Sequence, residues 1–323
     1  MQAQFIKLKQ HLQSVIIGQE VLLERMIIGL LTGGHILLEG PPGLAKTTAV
    51  KTLSEGVHAH FQRIQFTPDL MPGDVMGSDI LDPKTGQLLF VKGPIFNEII
   101  LADEINRAPP KVQSALLEAM AEKQVTAGGQ TRPLPDLFLV LATQNPLEQS
   151  GTYPLPEAQL DRFMLHLVLD YPSEEEELKI LQLDRQKHFG EDKPKLDAFL
   201  TPEMVLKARK SVSEVFVSPV IERYMVALIG ATRKLASLEP ELDHVVEIGA
   251  SPRASISLLH AASAKAWLAN RDFVTPDDVA EVLPDVLRHR LAISFTGRAH
   301  QWTADKVIAR ILEKIPLPSN SEL

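Results

Sequence analysis

The 323-residue chain contains no cysteine, which excludes disulfides, zinc–thiolate sites and thiol chemistry. It also lacks an uninterrupted apolar run of about 18 residues, the length that a membrane-spanning helix needs. Residues 1–20 hold no signal-peptide core, and the chain shows no short-period repeat or low-complexity tract. No strong charge excess is present either: 33 Lys and Arg stand against 41 Asp and Glu, a formal net charge of −8. Indiscriminate nucleic-acid binding is therefore disfavoured, although a local basic channel stays open. These absences lead us to expect a soluble, cytoplasmic protein without a membrane span. What is present is an ordinary hydrophobic fraction of 45%, enough for real cores. The length suits about two domains.

The chain is organised around Gly40-Pro41-Pro42-Gly43-Leu44-Ala45-Lys46-Thr47. The apolar run at 35–38 reads as a strand entering it, and residues 48–56 read as a helix leaving it. Strand, Gly-rich turn and helix are the context of a phosphate-binding loop. Its backbone N–H groups point inward and the helix N-terminus adds partial positive charge. Lys46 then reaches the β- and γ-phosphates, the Thr47 hydroxyl ligates Mg²⁺, and Thr48 belongs to the same cradle. Ala45 stands where a second glycine is usual, and alanine disfavours φ > 0. Upstream, helical patterns at 5–15 and 21–31 are separated by a break containing Ile17 and Gly18. That break is a candidate seat for an adenine ring; simple core packing is the alternative.

Downstream, residues 61–66 alternate as a strand, and 67–74 are too rich in Pro, Gly and Asp for regular structure. A short helix or turn and then a hairpin over 79–91 are expected, so 67–94 reads as an insertion, functional or decorative. The apolar strand at 97–102 ends in Asp103 and Glu104, a costly carboxylate pair unless a cation or polar site receives it. In one reading Asp103 holds Mg²⁺ and Glu104 deprotonates a water; in the other the pair caps a strand. A helix opens at Pro109 and Pro110, a second hairpin spans 124–135, and the apolar strand at 137–142 ends in Thr143, Gln144 and Asn145. In a parallel sheet these strand ends share one edge, the edge where ligands bind. Asn145 then faces the γ-phosphate or the attacking water. Residues 151–159 read as a loop, and 164–169 as a final strand. Arg162 either pairs with Asp161 or projects outward.

Ser173 and Glu176 form a capping box at what reads as a domain boundary, giving an α/β core at 1–171 and an all-α domain at 172–323. Helices are expected to start at Thr201-Pro202, Ser218-Pro219, Ser251-Pro252 and Thr275-Pro276. Arg253 lies in a first helical turn, where the dipole disfavours a cation by roughly 0.3–1 kcal/mol. A nearby anion would remove that conflict, as would extension into water.

Together these stretches resemble the AAA+ ATPases, and more narrowly the MoxR family. The resemblance is carried by the loop at 40–47 including Ala45, by 101–109 with 113–120, by 141–146, by 155–163 and by 249–254. It implies a P-loop αβα core with inserted hairpins followed by a helical lid, using ATP and Mg²⁺. By resemblance Asp103 and Glu104 are the Walker B pair, Asn145 is sensor 1, Arg162 is an arginine finger acting in trans and Arg253 is sensor 2. The same resemblance implies a homo-oligomeric ring, usually a hexamer, and chaperone-like remodelling of protein clients with von Willebrand factor A domain partners. A nucleotide-gated switch with little turnover, a DNA-acting ATPase and a magnesium-chelatase-type ATPase are the alternatives.

Overall fold

The computed structural model of the chain describes residues 1–84, 86–145, 151–189 and 199–318, with backbone alone over 186–189. Its first elements are α1 (Gln2–Val15), α2 (Glu20–Thr32), β1 (Ile36–Glu39), α3 (Lys46–Gly56) and β2 (Phe61–Gln65). Next come α4 (Pro72–Met76), β3 (Gly77–Leu81), β4 (Leu88–Lys92), β5 (Ile99–Asp103), α5 (Pro110–Glu122), β6 (Gln124–Ala127), β7 (Gln130–Pro133) and β8 (Leu139–Gln144). The remainder holds α6 (Glu157–Leu160), β9 (Leu165–Val168), α7 (Glu174–Phe189), α8 (Pro202–Ser213), α9 (Pro219–Ala231) and β10 (Val246–Ile248). It ends with α10 (Pro252–Leu268), α11 (Pro276–Leu287), β11 (Ala292–Ile293), α12 (Phe295–Ala299) and α13 (Ala304–Lys314).

The central sheet has five strands in the order β2-β5-β8-β1-β9. Strand β1 pairs with β8, β8 with β5, and β5 with β2, all in parallel. Every side chain of Ile36, Leu37, Leu38, Ile99, Ile100, Leu101 and Ala102 is fully buried, as expected of parallel strands covered on both faces. Such strands have no polar positions along their length, so the chemistry collects at their ends. Leu38 lies beside Thr143, Glu39 beside Gln144, and Gln65 beside Asp103. The two expected hairpins are present as β3–β4 and β6–β7. The tip residue Thr85 lies outside the described residues, as does Pro146 of the 141–146 stretch.

The chain separates into two compact units, one comprising Ala3–Pro154 and Leu167–Lys207, the other Leu155–His166 and Ala208–Leu323. This division differs from a boundary at 171/172, because the helix after Pro172 groups with the sheet. The Gln19 side chain donates to the Asp170 carbonyl, and the Phe199 and Leu200 N–H groups both donate to the Gly56 carbonyl. The capping box of Ser173 and Glu176 forms as expected, but it marks where a helix starts and not where a unit starts.

In the second unit α10 and α11 pack against each other with buried Leu258, Ala261, Val279 and Val282. The four expected helix starts are all observed, with Ser218, Ser251 and Thr275 each accepting a first-turn N–H. An antiparallel pairing of β10 with β11 adds a small sheet that the helical pattern does not announce. Short helices occupy the end of the irregular 67–74 stretch, after which a short helix or turn is expected, and part of the 151–159 loop. In α4 the Asp74 carboxylate accepts from the Met71 N–H at 2.8 Å. In α6 the loop expected over 151–159 gives way to a single turn.

Candidate functional site

The ends of β1, β5 and β8 open on a cleft of about 400 Å³ in the first unit. Every residue of the phosphate loop but Pro41 reaches it, as does the flanking Thr48, together with Arg63, Asp103, Glu104, Thr143, Gln144 and Asn145. Gly43 sits at φ 89°, a region closed to most side chains. Ala45 sits at φ 52°, ψ 22°, so alanine adopts the left-handed turn that glycine usually provides. No side chain caps the first turn of α3, leaving it suited to an anion.

Lys46 opens α3, and its Nζ donates to the Gly40 carbonyl at 2.8 Å. Burial pushes its pKa below the ordinary lysine value, opposed by the charges of Asp103, Glu104 and Glu39. A phosphate here would restore the ammonium's favourable surroundings. Asp103 ends β5 and is bound on both oxygens. Thr143 Oγ donates to Oδ1 at 2.5 Å, while Arg63 donates to Oδ2 from Nε at 3.0 Å and from Nη2 at 2.5 Å. Glu104 adopts φ 57°, ψ 49°, a left-handed conformation costing roughly 1–2 kcal/mol for an L residue. Its N–H donates to Thr143 Oγ at 2.8 Å, so one buried hydroxyl bridges the acidic pair. The Glu104 carboxylate accepts from Gln65 Nε2 at 2.7 Å and from Arg107 Nη1 at 3.0 Å.

A second, more apolar hollow of about 210 Å³ shares Gly43, Leu44, Ala45 and Thr48 with the cleft. It is also lined by Ile16, Ile17, Pro172 and Ile180, a composition suited to a flat apolar ring. Gly18 instead makes the turn beside it at φ 75°, with the Glu176 carboxyl carbon 2.9 Å from where a Cβ would stand.

Arg162 and Arg253 belong to the second unit. There Asp161 accepts from Ser251 Oγ at 2.9 Å and from Arg290 Nε at 2.7 Å, and lies 3.7 Å from Arg253 Nη1. Arg253 thus has an anion near its first helical turn, which supplies the counter-charge that its position calls for. Arg290 also donates to the carbonyls of Phe163, Met164 and Val286, fixing the backbone that follows Arg162.

Comparison with known proteins places this geometry. The ATPase family associated with various cellular activities (AAA) matches residues 35–165, and the AAA lid domain matches 242–311. Chaperone MoxR1 of Mycobacterium tuberculosis is 45% identical over 95% of this chain and 81% of its own. The chain belongs to the MoxR family of AAA+ ATPases. Protein MoxR of Methylorubrum extorquens is 29% identical over 97% of this chain and 94% of its own. The crystal structure of a candidate ATPase from Cytophaga hutchinsonii superposes with a TM-score of 0.91 at 43% identity, covering 98% of this chain and 96% of that one. The family is one of nucleotide-binding ATPases, and its MoxR members include a protein named as a chaperone.

Arg63, Gln65 and Arg107 are site residues that motif reading misses. The alternation along β2 marks Arg63 and Gln65 as exposed on an edge strand, but it does not show that they face the acidic pair. Thr143 is signalled more openly, as the first polar residue after six apolar ones. No group of three His, Cys, Asp or Glu that could hold a metal occurs among the described residues, nor is any described helix long and apolar enough to cross a membrane.

Proposed function

We propose that this MoxR-family chain hydrolyses Mg²⁺–ATP and uses the cycle to remodel a partner protein. The observation that carries the reading is the convergence of loop, acidic pair and Asn145 at three neighbouring strand ends. The Thr47 hydroxyl and the Asp103 carboxylate are hard oxygen donors. They suit Mg²⁺, which keeps several waters and takes phosphate oxygens rather than a cage made wholly of protein. When bound, that ion supplies positive charge against the phosphates. The loop amides and Lys46 bind and orient the β- and γ-phosphates, Lys46 leaving the Gly40 carbonyl to do so. Glu104 accepts a proton from the attacking water, and Asn145 positions that water. The apolar hollow beside Ile17 seats the adenine.

From the family resemblance we assign Arg162 as the arginine finger acting on a neighbouring subunit and Arg253 as sensor 2. A finger acting in trans requires a homo-oligomeric ring, a hexamer by analogy. Protein clients, partners with von Willebrand factor A domains, a role in maturation, assembly or metal insertion, and a cytoplasmic location complete the proposal; they rest on analogy with the family.

Lys46→Ala tests the site. Equilibrium binding of a fluorescent ATP analogue with Mg²⁺ should be lost in the variant and present in the parent chain. Phosphate release by the parent should require Mg²⁺ and stop when the ion is chelated. Undiminished binding by Lys46→Ala would remove the loop from the mechanism.

A further inference from the structure

The acidic pair is joined by a polar chain that the proposed cycle leaves unexplained. Arg63 and Gln65 stand two residues apart on β2, so both project from the same exposed face. Arg63 places two donors on a single oxygen of Asp103, while Thr143 occupies the other oxygen. The same guanidinium donates from Nη2 to Gln65 Oε1 at 2.8 Å, and Gln65 Nε2 donates to Glu104. Asp103, Arg63, Gln65 and Glu104 therefore form one continuous network.

We propose that Arg63 is a displaceable counter-ion of Asp103, one that lowers the site's affinity for Mg²⁺ and links metal entry to Glu104. The inference rests on the reading of Asp103 as a metal-facing carboxylate. Its physical basis is direct. A guanidinium within 3.0 Å of Oδ2 fills the space and carries the charge that a divalent cation needs there. Two cations cannot share that oxygen without strong repulsion. The pair is nevertheless exchangeable, because the Arg63 side chain is 48% exposed on an edge strand and has water as an alternative partner. Release of Arg63 from Asp103 also removes the donor that orients Gln65. Glu104 then loses a restraint at the moment that metal and nucleotide occupy the site. Thr143 stays on the other oxygen of Asp103 and Arg107 stays on Glu104, so the exchange loosens the pair without releasing it.

The test uses the full chain and a non-hydrolysable ATP analogue carrying an N-methylanthraniloyl fluorophore. Analogue binding is followed while Mg²⁺ is titrated, for the parent chain and for Arg63→Gln. The half-saturating Mg²⁺ concentration should fall about threefold to tenfold in the variant, while affinity in the absence of metal stays within about twofold. An unchanged or raised Mg²⁺ requirement overturns the inference. So does an equal loss of analogue affinity with and without Mg²⁺, which would make Arg63 a phosphate ligand. If the parent chain bound no analogue at all, the proposed function would fail instead, so the two failures are distinguishable.

Discussion

Asp103 and Asp161 are shielded to the same degree, 18% and 17% exposed, and each is held by an arginine; only the arginines differ. Arg63, on Asp103, is 48% exposed and sits on an edge strand. Arg290, on Asp161, is 2% exposed and spends its remaining donors on backbone carbonyls and the Ser257 hydroxyl. Burial lowers the Arg290 pKa and Asp161 opposes that shift, so the buried guanidinium has its counter-charge in contact. One pair is suited to exchange its cation, the other to hold a backbone segment in place. The chain thus uses one chemical pairing for two purposes, set by what surrounds the guanidinium.

Breaking the buried pair should have the largest effect on stability. Arg290→Ala leaves Asp161 without its closest cation and frees several carbonyls, and should cost about 3–5 kcal/mol in urea unfolding. Arg63→Gln, measured in the same way, should cost less than about 1 kcal/mol. Equal losses would erase the contrast between the two aspartates. Thr143→Val removes the buried hydroxyl that serves Asp103 and the Glu104 N–H, and about 1–3 kcal/mol should be lost. A loss below a few tenths of a kcal/mol would show that this bridge does not hold the acidic pair. The smallest change belongs to the neighbouring loop. Ala45→Gly relieves a left-handed penalty of roughly 1–2 kcal/mol but adds backbone freedom to the unfolded chain. A net gain below about 1 kcal/mol is expected from the midpoint of urea unfolding; a net loss would mean that the Ala45 methyl contributes packing.

Much of the first unit was legible because buried parallel strands leave a plain record. Continuous apolar runs located β1, β5 and β8, and the residues that ended those runs proved to share one cleft. Gly and Pro fixed the phosphate loop, and Ser-Pro and Thr-Pro pairs fixed four helix starts. Partners across the sheet left no such record. Arg63 lies 40 residues from Asp103, and Gln65 lies 39 from Glu104; an alternating edge strand reports exposure and is silent about direction. Asp161 and Arg290 are 129 residues apart, so local reading offered Arg162 as the only nearby candidate. The 171/172 boundary followed a capping box, a signal confined to one helical turn. The start of α4 was hidden by Pro-, Gly- and Asp-rich composition, and α6 by the glycine and prolines of 151–156, which usually mark loops.

The central claim is that the acidic pair at the end of β5 divides its labour, Asp103 facing the metal and Glu104 acting as the base. Glu104→Gln keeps the shape and hydrogen-bonding capacity of the side chain while removing its ability to take a proton. Its affinity for Mg²⁺–ATP should stay within a few-fold of the parent chain's, while single-turnover hydrolysis falls about 10²–10⁴-fold. Hydrolysis by Glu104→Gln at the parent rate, with nucleotide bound, would contradict the account.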